Sequence, residues 1–169
     1  MKRQYYSTAY LLIGGNIGDR CAHLEQAAML ISTGCGIIPV RSPVYETAAW
    51  GITDQAPFLN QALELHTRSG ADELMQELLR IEEQMGRVRQ ERYGPRTIDI
   101  DILLFNDEIR STPLLTLPHP EMYRRRFALQ PLADIAPDIQ HPVLKKSIAE
   151  LLAECPDELP VRKVEAAPG

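Results

Sequence analysis

Two aspartates stand two positions apart in the otherwise apolar stretch 98–105. If this stretch is a strand, Asp99 and Asp101 point to one face about 6.5 Å apart, and the intervening isoleucines point to the other. Two carboxylates held so close repel each other, and each is costly to place beside an apolar surface. A bound cation relieves both costs, and Mg²⁺ commonly takes one or two carboxylates and completes its shell with water and substrate phosphates. The alternative is a strand with one solvated face, but because aspartate is depleted in strands the pattern favours a metal site.

Arginines are concentrated on both sides of the aspartate pair. They are Arg87, Arg89, Arg92 and Arg96 before it, and Arg124, Arg125 and Arg126 after it, behind the segment Pro118-His119-Pro120. A guanidinium group is always charged and grips phosphate through two parallel hydrogen bonds, which a lysine ammonium cannot do. Carboxylates, a metal ion and arginines together are what phosphoryl transfer uses to position and neutralise its substrate. For any single arginine the alternative is a solvated loop charge.

Composition limits the class of protein. The 169 residues, 44% hydrophobic and 24% charged, predict a single domain over residues 1–169, with a core over about 8–155 and a loose tail over 156–169. The net charge of -5 does not favour general nucleic-acid binding. No apolar run reaches the length of a membrane span, and the first residues lack the apolar core of a signal peptide. Three cysteines without metal or redox spacing fit a cytoplasmic location.

Hydrophobic periodicity predicts the elements that must position these residues. Strands are predicted over 9–13, 37–47, 58–67 and 97–105, and helices after Asp19 and after Ser69. Short helices are predicted within 122–132 and 147–154. The order predicts an α+β fold with a ferredoxin-like βαββαβ core, additional C-terminal strands or helices, and helices packed on an antiparallel sheet. This architecture serves many activities, so it does not by itself give a function.

The segment 92–103, with the sequence RYGPRTIDIDIL, resembles the signature of the 6-hydroxymethyl-7,8-dihydropterin pyrophosphokinase family of folate biosynthesis. Three further segments resemble that family in the same order: YLLIGGNIGD at 10–19, SPVYET with FLN at 42–47 and 58–60, and LPHP with RRF at 117–120 and 125–127. The resemblance covers residues from about 10 to 138. It implies an enzyme that transfers pyrophosphate from ATP to the hydroxymethyl group of the reduced pterin and releases AMP.

The resemblance also implies a pterin site. In it, Phe58 and Phe127 sandwich the pterin ring, while Asn60 reads its edge together with the backbone near Thr47 and Trp50. An aromatic ring and an amide two positions apart on a strand share a face, which suits a flat heterocycle. Taken alone, these residues have plainer interpretations: Phe58 as core, Asn60 as a turn or cap residue, and Trp50 as a packing residue.

For the nucleotide, the resemblance implies a larger set of residues. The ATP-binding residues are Glu82, Arg87, Arg89, Arg92, Arg96, Ile102, Thr116, His119 and Arg125. The catalytic residues are Arg87, Arg92, Asp99 and Asp101, and the two aspartates hold Mg²⁺, with two ions expected. Considered singly, Glu82 is a solvated helix charge and Ile102 a core residue. The glycine-rich segment 14–19 lacks the lysine and the spacing of a Walker A loop and is interpreted as a strand-to-helix turn.

The competing class is a non-catalytic ferredoxin-like module that binds RNA or a regulatory nucleotide. RNA-recognition sheets carry aromatic residues on one face, which this chain lacks, and its net charge is negative. A sensor domain would not need two aspartates flanked by so many arginines. The resemblance therefore implies an enzyme whose partners are ATP and the pterin, and we expect a monomeric, cytoplasmic protein that binds no nucleic acid and no membrane.

Overall fold

The structure is a computed structural model that describes residues 6–48, 56–86 and 97–165. Of the predicted site residues, Trp50, Arg87, Arg89, Arg92 and Arg96 lie outside the described residues. The elements in chain order are β1 (Ser7–Gly15), α1 (Arg20–Gly34), β2 (Ile37–Arg41), β3 (Tyr45–Thr47), β4 (Phe58–Thr67), α2 (Ala71–Gln84), β5 (Asp99–Phe105), β6 (Arg110–Ser111), β7 (Thr116–Leu117), a 3-10 turn (Met122–Arg124), α3 (Arg126–Ile135), α4 (Ile148–Ala153) and β8 (Val161–Lys163).

The main sheet is antiparallel at every pairing of its described strands. Its order is β5-β1-β4-β3-β8, and β2 pairs with the far half of β4. The two faces carry separate apolar clusters: residues of α1 and α2 pack on one, and residues of α3 and α4 on the other. The predicted α+β class and βαββαβ order are confirmed, with the second strand in two pieces.

The predicted strand 37–47 is interrupted at residues 42–44, which separate β2 from β3. Pro43 has no N–H to give to a sheet. Ser42 compensates with its side chain, because its Oγ accepts the N–H of Ala62 at 2.8 Å while its own N–H donates to the Ala62 carbonyl at 2.9 Å. The chain therefore stays attached to β4 across the interruption.

Both large helices begin where the sequence predicts. The Asp19 side chain accepts the N–H of Ala22 at 3.1 Å and caps α1. Beyond α2, Gly86 has a φ of 85°, a left-handed conformation that glycine adopts without steric cost.

No helix among the described residues is both long enough and apolar enough to span a bilayer.

The predicted loose tail is wrong for its described part, residues 156–165. Here β8 adds a strand to the sheet by pairing with β3, and Asp157 is buried beside the start of α3. A strand this short, preceded by two prolines, gives little periodicity, so the sequence carried no signal for it. Tertiary contacts fix this segment.

Candidate active site

The sheet register brings the predicted metal ligands and pterin ligands onto one face. Gly14 on β1 pairs with Asp99 on one side and with Asn60 on the other. Leu12, two residues earlier, pairs in the same way with Asp101 and Ala62. Directly paired residues in an antiparallel sheet point to the same face. Asp99, Asp101 and Asn60 therefore share a face, although they come from two strands far apart in the sequence.

The aspartates occupy the partly exposed side of β5, at the edge of the described sheet. Both are half-buried, whereas Ile98, Ile100 and Ile102 on the opposite face are fully buried. The predicted division of the strand into a carboxylate face and an apolar face is confirmed. Ile102 belongs to the core on the side of α1 and α2, so the structure does not bring it together with the carboxylates.

Glu82 supports β5 from the other side. Its carboxylate accepts the N–H of Ile100 at 2.7 Å, at the position between the two aspartates. Only 2% of Glu82 is exposed, so the interpretation as a solvated helix charge is wrong. A buried carboxylate is stable only when it is hydrogen-bonded or paired. Glu82 thus ties α2 to the strand that carries the aspartates.

The pterin-side residues lie on β3 and β4. Phe58 pairs with Thr47, and both Asn60 and Thr47 are buried while Phe58 is half-buried. The Thr47 hydroxyl is buried, and within the described part of the chain it has no hydrogen-bond partner. An unsatisfied buried hydroxyl is costly, and a ligand edge with complementary groups removes that cost.

Gly14 is required by the position of Asn60, a role that the sequence interpretation missed. A Cβ atom at Gly14 would lie 2.1 Å from Asn60 Oδ1 and 2.7 Å from the carbonyl oxygen of Leu59. No side chain fits at that distance. The Asn60 amide therefore lies across the bare backbone of Gly14. A single sequence gives no signal for this, because glycine before a helix equally suits a turn.

His119 is held close to β5 by its backbone. Its N–H donates to the Leu103 carbonyl at 2.9 Å, and its Nδ1 accepts the N–H of Glu121 at 3.1 Å. Burial, assisted by the Arg125 charge and opposed by the Asp99 and Glu121 charges, lowers the pKa of His119 to about 4. The imidazole is therefore neutral at physiological pH. Because Nδ1 is an acceptor, the ring proton is on Nε2, which can donate to a phosphate oxygen.

Arg125 and Phe127 come from the turn that opens α3, the helix on the same face as the aspartates. The Arg125 guanidinium carbon lies 5.7 Å from the centre of the Phe127 ring, which is cation–π distance. Phe127 packs against the apolar cluster that contains Leu12, which pairs with Asp101, and Ala62, which pairs with Leu12 on its other side. Thr116 is half-buried on β7, three residues before His119.

Two carboxylates alone make a partial metal site. In the described part of the chain, no group of three or more His, Cys, Asp or Glu side chains could hold a metal ion. The pair at Asp99 and Asp101 nevertheless fits Mg²⁺, which takes few protein ligands and uses water and substrate phosphates for the rest. The arrangement can bind a flat polar heterocycle at one end and a metal-associated phosphate chain at the other.

The chain is similar to a known protein family and to several of its members. The family model described as 7,8-dihydro-6-hydroxymethylpterin-pyrophosphokinase (HPPK) matches residues 10–137. The 2-amino-4-hydroxy-6-hydroxymethyldihydropteridine pyrophosphokinase of Bacillus subtilis is 45% identical over 133 residues, covering 78% of this chain and 80% of the relative. The enzyme of the same name from Pseudomonas aeruginosa is 43% identical over 162 residues, covering 95% and 96%.

A crystal structure of Plasmodium falciparum HPPK-DHPS shares the fold. It superimposes with a TM-score of 0.70 at 19% identity, over 91% of this chain and 44% of that one. The present chain thus spans less than half of that protein. At this identity the likeness concerns the fold alone, whereas the family-model match and the relatives above concern the sequence. The chain belongs to the HPPK family.

Proposed function

We propose that this chain transfers pyrophosphate from ATP to the hydroxymethyl group of 6-hydroxymethyl-7,8-dihydropterin, giving AMP and the pterin diphosphate. Membership of the HPPK family and the names of its relatives support the reaction. The observation that carries the proposal is the register of β5, β1 and β4. It places Asp99 and Asp101 on the same face as Asn60, as a reaction between a bound nucleotide and a bound pterin needs.

The pterin binds at the β3–β4 end of this face. Phe58 and Phe127 stack on its two sides, the Asn60 amide pairs with its polar edge, and the Thr47 hydroxyl supplies a further hydrogen bond. The support is the shared face of Phe58 and Asn60, together with the unsatisfied Thr47 hydroxyl. Trp50 completes this end by resemblance to the family.

The triphosphate lies between the aspartates and the turn before α3. Neutral His119 donates from Nε2 to a phosphate oxygen, and Arg125 adds a fixed positive charge beside it. The opposing effects of Arg125 and Asp99 on the pKa of His119 support the closeness of these groups. By resemblance to the family, the nucleotide site also includes Glu82 and Thr116. It further includes four arginines that lie outside the described residues: Arg87, Arg89, Arg92 and Arg96.

Asp99 and Asp101 are the residues that hold Mg²⁺ in this proposal. The ion supplies charge neutralisation of the phosphate oxygens and a fixed orientation for in-line attack. The count of two ions stays a prediction. With an ion bound, Asp99 and Asp101 would hold the phosphate chain at the exposed face of β5, on the side of the sheet where the stacked pterin presents its hydroxymethyl group. A monomeric state and a cytoplasmic location complete the proposal; the free Cys21, Cys35 and Cys155 suit a reducing compartment.

The test is AMP formation in a mixture of the purified chain, ATP, Mg²⁺ and the reduced pterin, separated by chromatography. We expect AMP only when all components are present. Asp99→Asn and Asp101→Asn should lower turnover at least about a hundredfold while pterin binding persists, since losing one well-placed electrostatic group costs about that factor. Asp107→Asn is the matched control, because Asp107 is exposed in the turn after β5. Wild-type turnover by the Asp99 and Asp101 variants would refute the proposed metal site. AMP formation in the absence of the pterin would refute the proposal that the pterin is the pyrophosphate acceptor.

A further inference from the structure

The first turn of α3 is weakly held by the helix itself. Arg125, at the N-cap position, makes no side-chain capping hydrogen bond. Pro131 lies inside the helix and has no N–H, so the carbonyl of Phe127, four residues earlier, receives no bond from it. This turn carries Arg125 and Phe127, which the proposed function places against the phosphates and the pterin.

A residue from the far end of the chain supplies the missing cap. The Asp157 carboxylate accepts the N–H of Arg126 at 3.1 Å, although the two residues are 31 positions apart. A second hydrogen bond joins the same two residues, since Nε of the Arg126 side chain donates to the Asp157 carbonyl oxygen at 3.0 Å. A carboxylate at a helix N-terminus satisfies an orphan N–H and favours the helix dipole.

Asp157 is itself fixed in place. It is 7% exposed, and its second carboxylate oxygen accepts the N–H of Leu159 at 2.9 Å. The segment then continues into β8, which pairs with β3 through residues that include Thr47. The Glu46 carboxylate on β3 forms salt bridges with the guanidinium groups of Arg162 on β8 and Arg20 on α1, each with an N–O distance of 2.8 Å. The C-terminal segment thus connects the pterin-side strand to the start of α3.

We propose that Asp157 is a positioning residue that fixes Arg125 and Phe127 relative to the sheet. It touches neither substrate and acts through the backbone of Arg126. The inference rests on the proposed function, because it concerns how tightly that site binds its ligands. Without the cap, the turn has several positions, and each ligand must order it on binding, which weakens affinity.

The experiment compares Asp157→Ala and Asp157→Asn with Glu158→Ala, a matched change at an exposed neighbour. Dissociation constants for the reduced pterin and for a non-hydrolysable ATP analogue with Mg²⁺ are measured by calorimetry at 15 °C. Steady-state kcat and KM are measured alongside, and circular dichroism establishes that each variant is folded at that temperature. Binding constants of a fully folded variant would not change if Asp157 only stabilised the fold.

A tenfold change in affinity corresponds to about 1.4 kcal/mol, which lies within what a capping hydrogen bond contributes to a helix. Asp157→Ala should therefore weaken binding of both ligands by about tenfold, with kcat at saturation changed by less than about threefold. Asp157→Asn keeps an acceptor but loses the charge, so about a threefold weakening is expected; Glu158→Ala should match the wild type.

A folded Asp157→Ala variant that binds both ligands within about twofold of the wild type would overturn the inference. If Asp157→Ala does not fold, the same measurements on Asp157→Asn test the inference. Dissociation constants of Asp157→Asn equal to those of the wild type would then overturn it. A wild-type chain that forms no AMP would instead count against the proposed function. The two failures are therefore distinguishable.

Discussion

Replacing Gly14 by alanine tests the contact that holds Asn60 in the site. The new Cβ would lie 2.1 Å from Asn60 Oδ1 and 2.7 Å from the Leu59 carbonyl oxygen. Turning the Asn60 side chain away relieves only the first clash. The second involves backbone, so β1 and β4 must also separate at this point.

Overpacking of this kind costs about 1–3 kcal/mol in folding stability. For a chain of this size, 1 kcal/mol corresponds to about 2–4 °C in Tm, so a decrease of about 6 °C is expected for a cost near 2 kcal/mol. Because Asn60 must leave its position, Kd for the reduced pterin should rise at least about tenfold. The affinity for the ATP analogue should fall less, since the clash is with the pterin-side strand.

The assay combines thermal unfolding with calorimetric titration of both ligands. Gly34→Ala is the matched control: a Cβ at Gly34 in α1 meets nothing within 4 Å, so this change should be neutral or stabilising by up to about 1 kcal/mol. In an Asn60→Ala background, Gly14→Ala should cost less stability than it does alone, because one of its two clashes is gone. A Gly14→Ala chain with wild-type Tm and pterin affinity would refute the packing argument.

Three more changes test other parts of the site and fold. Phe58→Ala should raise the pterin Kd about tenfold with little effect on ATP-analogue binding, as expected from loss of a stacking ring; unchanged pterin affinity in a titration would contradict the stacking role. Glu82→Ala should lower the free energy of unfolding by about 1–3 kcal/mol and reduce kcat, because the Ile100 N–H loses its acceptor. The control Glu83→Ala should change neither the free energy of unfolding nor kcat. Burial lowers the pKa of His141, so the unfolded chain binds more protons than the folded chain below about pH 6.5. The free energy of unfolding, measured by denaturant titration, should therefore fall as the pH drops, and it should fall less steeply in His141→Asn. An unchanged slope in the variant would refute this role of His141.

Elements that alternate or repeat regularly could be predicted from the sequence. The strand Phe58–Thr67 has the predicted bounds, and α2 carries its buried residues Leu74, Leu78 and Ile81 at helical spacing. The two-sidedness of β5 followed from alternation alone. These features depend on local periodicity, and local periodicity is present in any single sequence.

Features that depend on contacts between distant segments could not be predicted. The fit of Asn60 against Gly14 needs the register of β1 and β4, and the cap on α3 needs the path of the last residues. The same holds for Tyr45, which looks like an ordinary strand residue. Its hydroxyl donates to Asp134 of α3, and burial together with that carboxylate raises its pKa to about 12. Sequence spacing gives no information on such pairs.

The carboxylates around this site have the same chemistry but different roles, and the degree of burial distinguishes these roles. Asp99 is half-buried on the open face of an edge strand, where water, a metal ion and phosphate can reach it. Glu82 and Asp157 are buried, and each accepts a backbone N–H, from Ile100 and Arg126 respectively. A buried carboxylate with a fixed donor cannot follow a substrate, but it can hold a strand or a helix turn still. Because positioning supplies much of the catalysis in phosphoryl transfer, a carboxylate that holds β5 or the first turn of α3 in place is expected to affect turnover through that element.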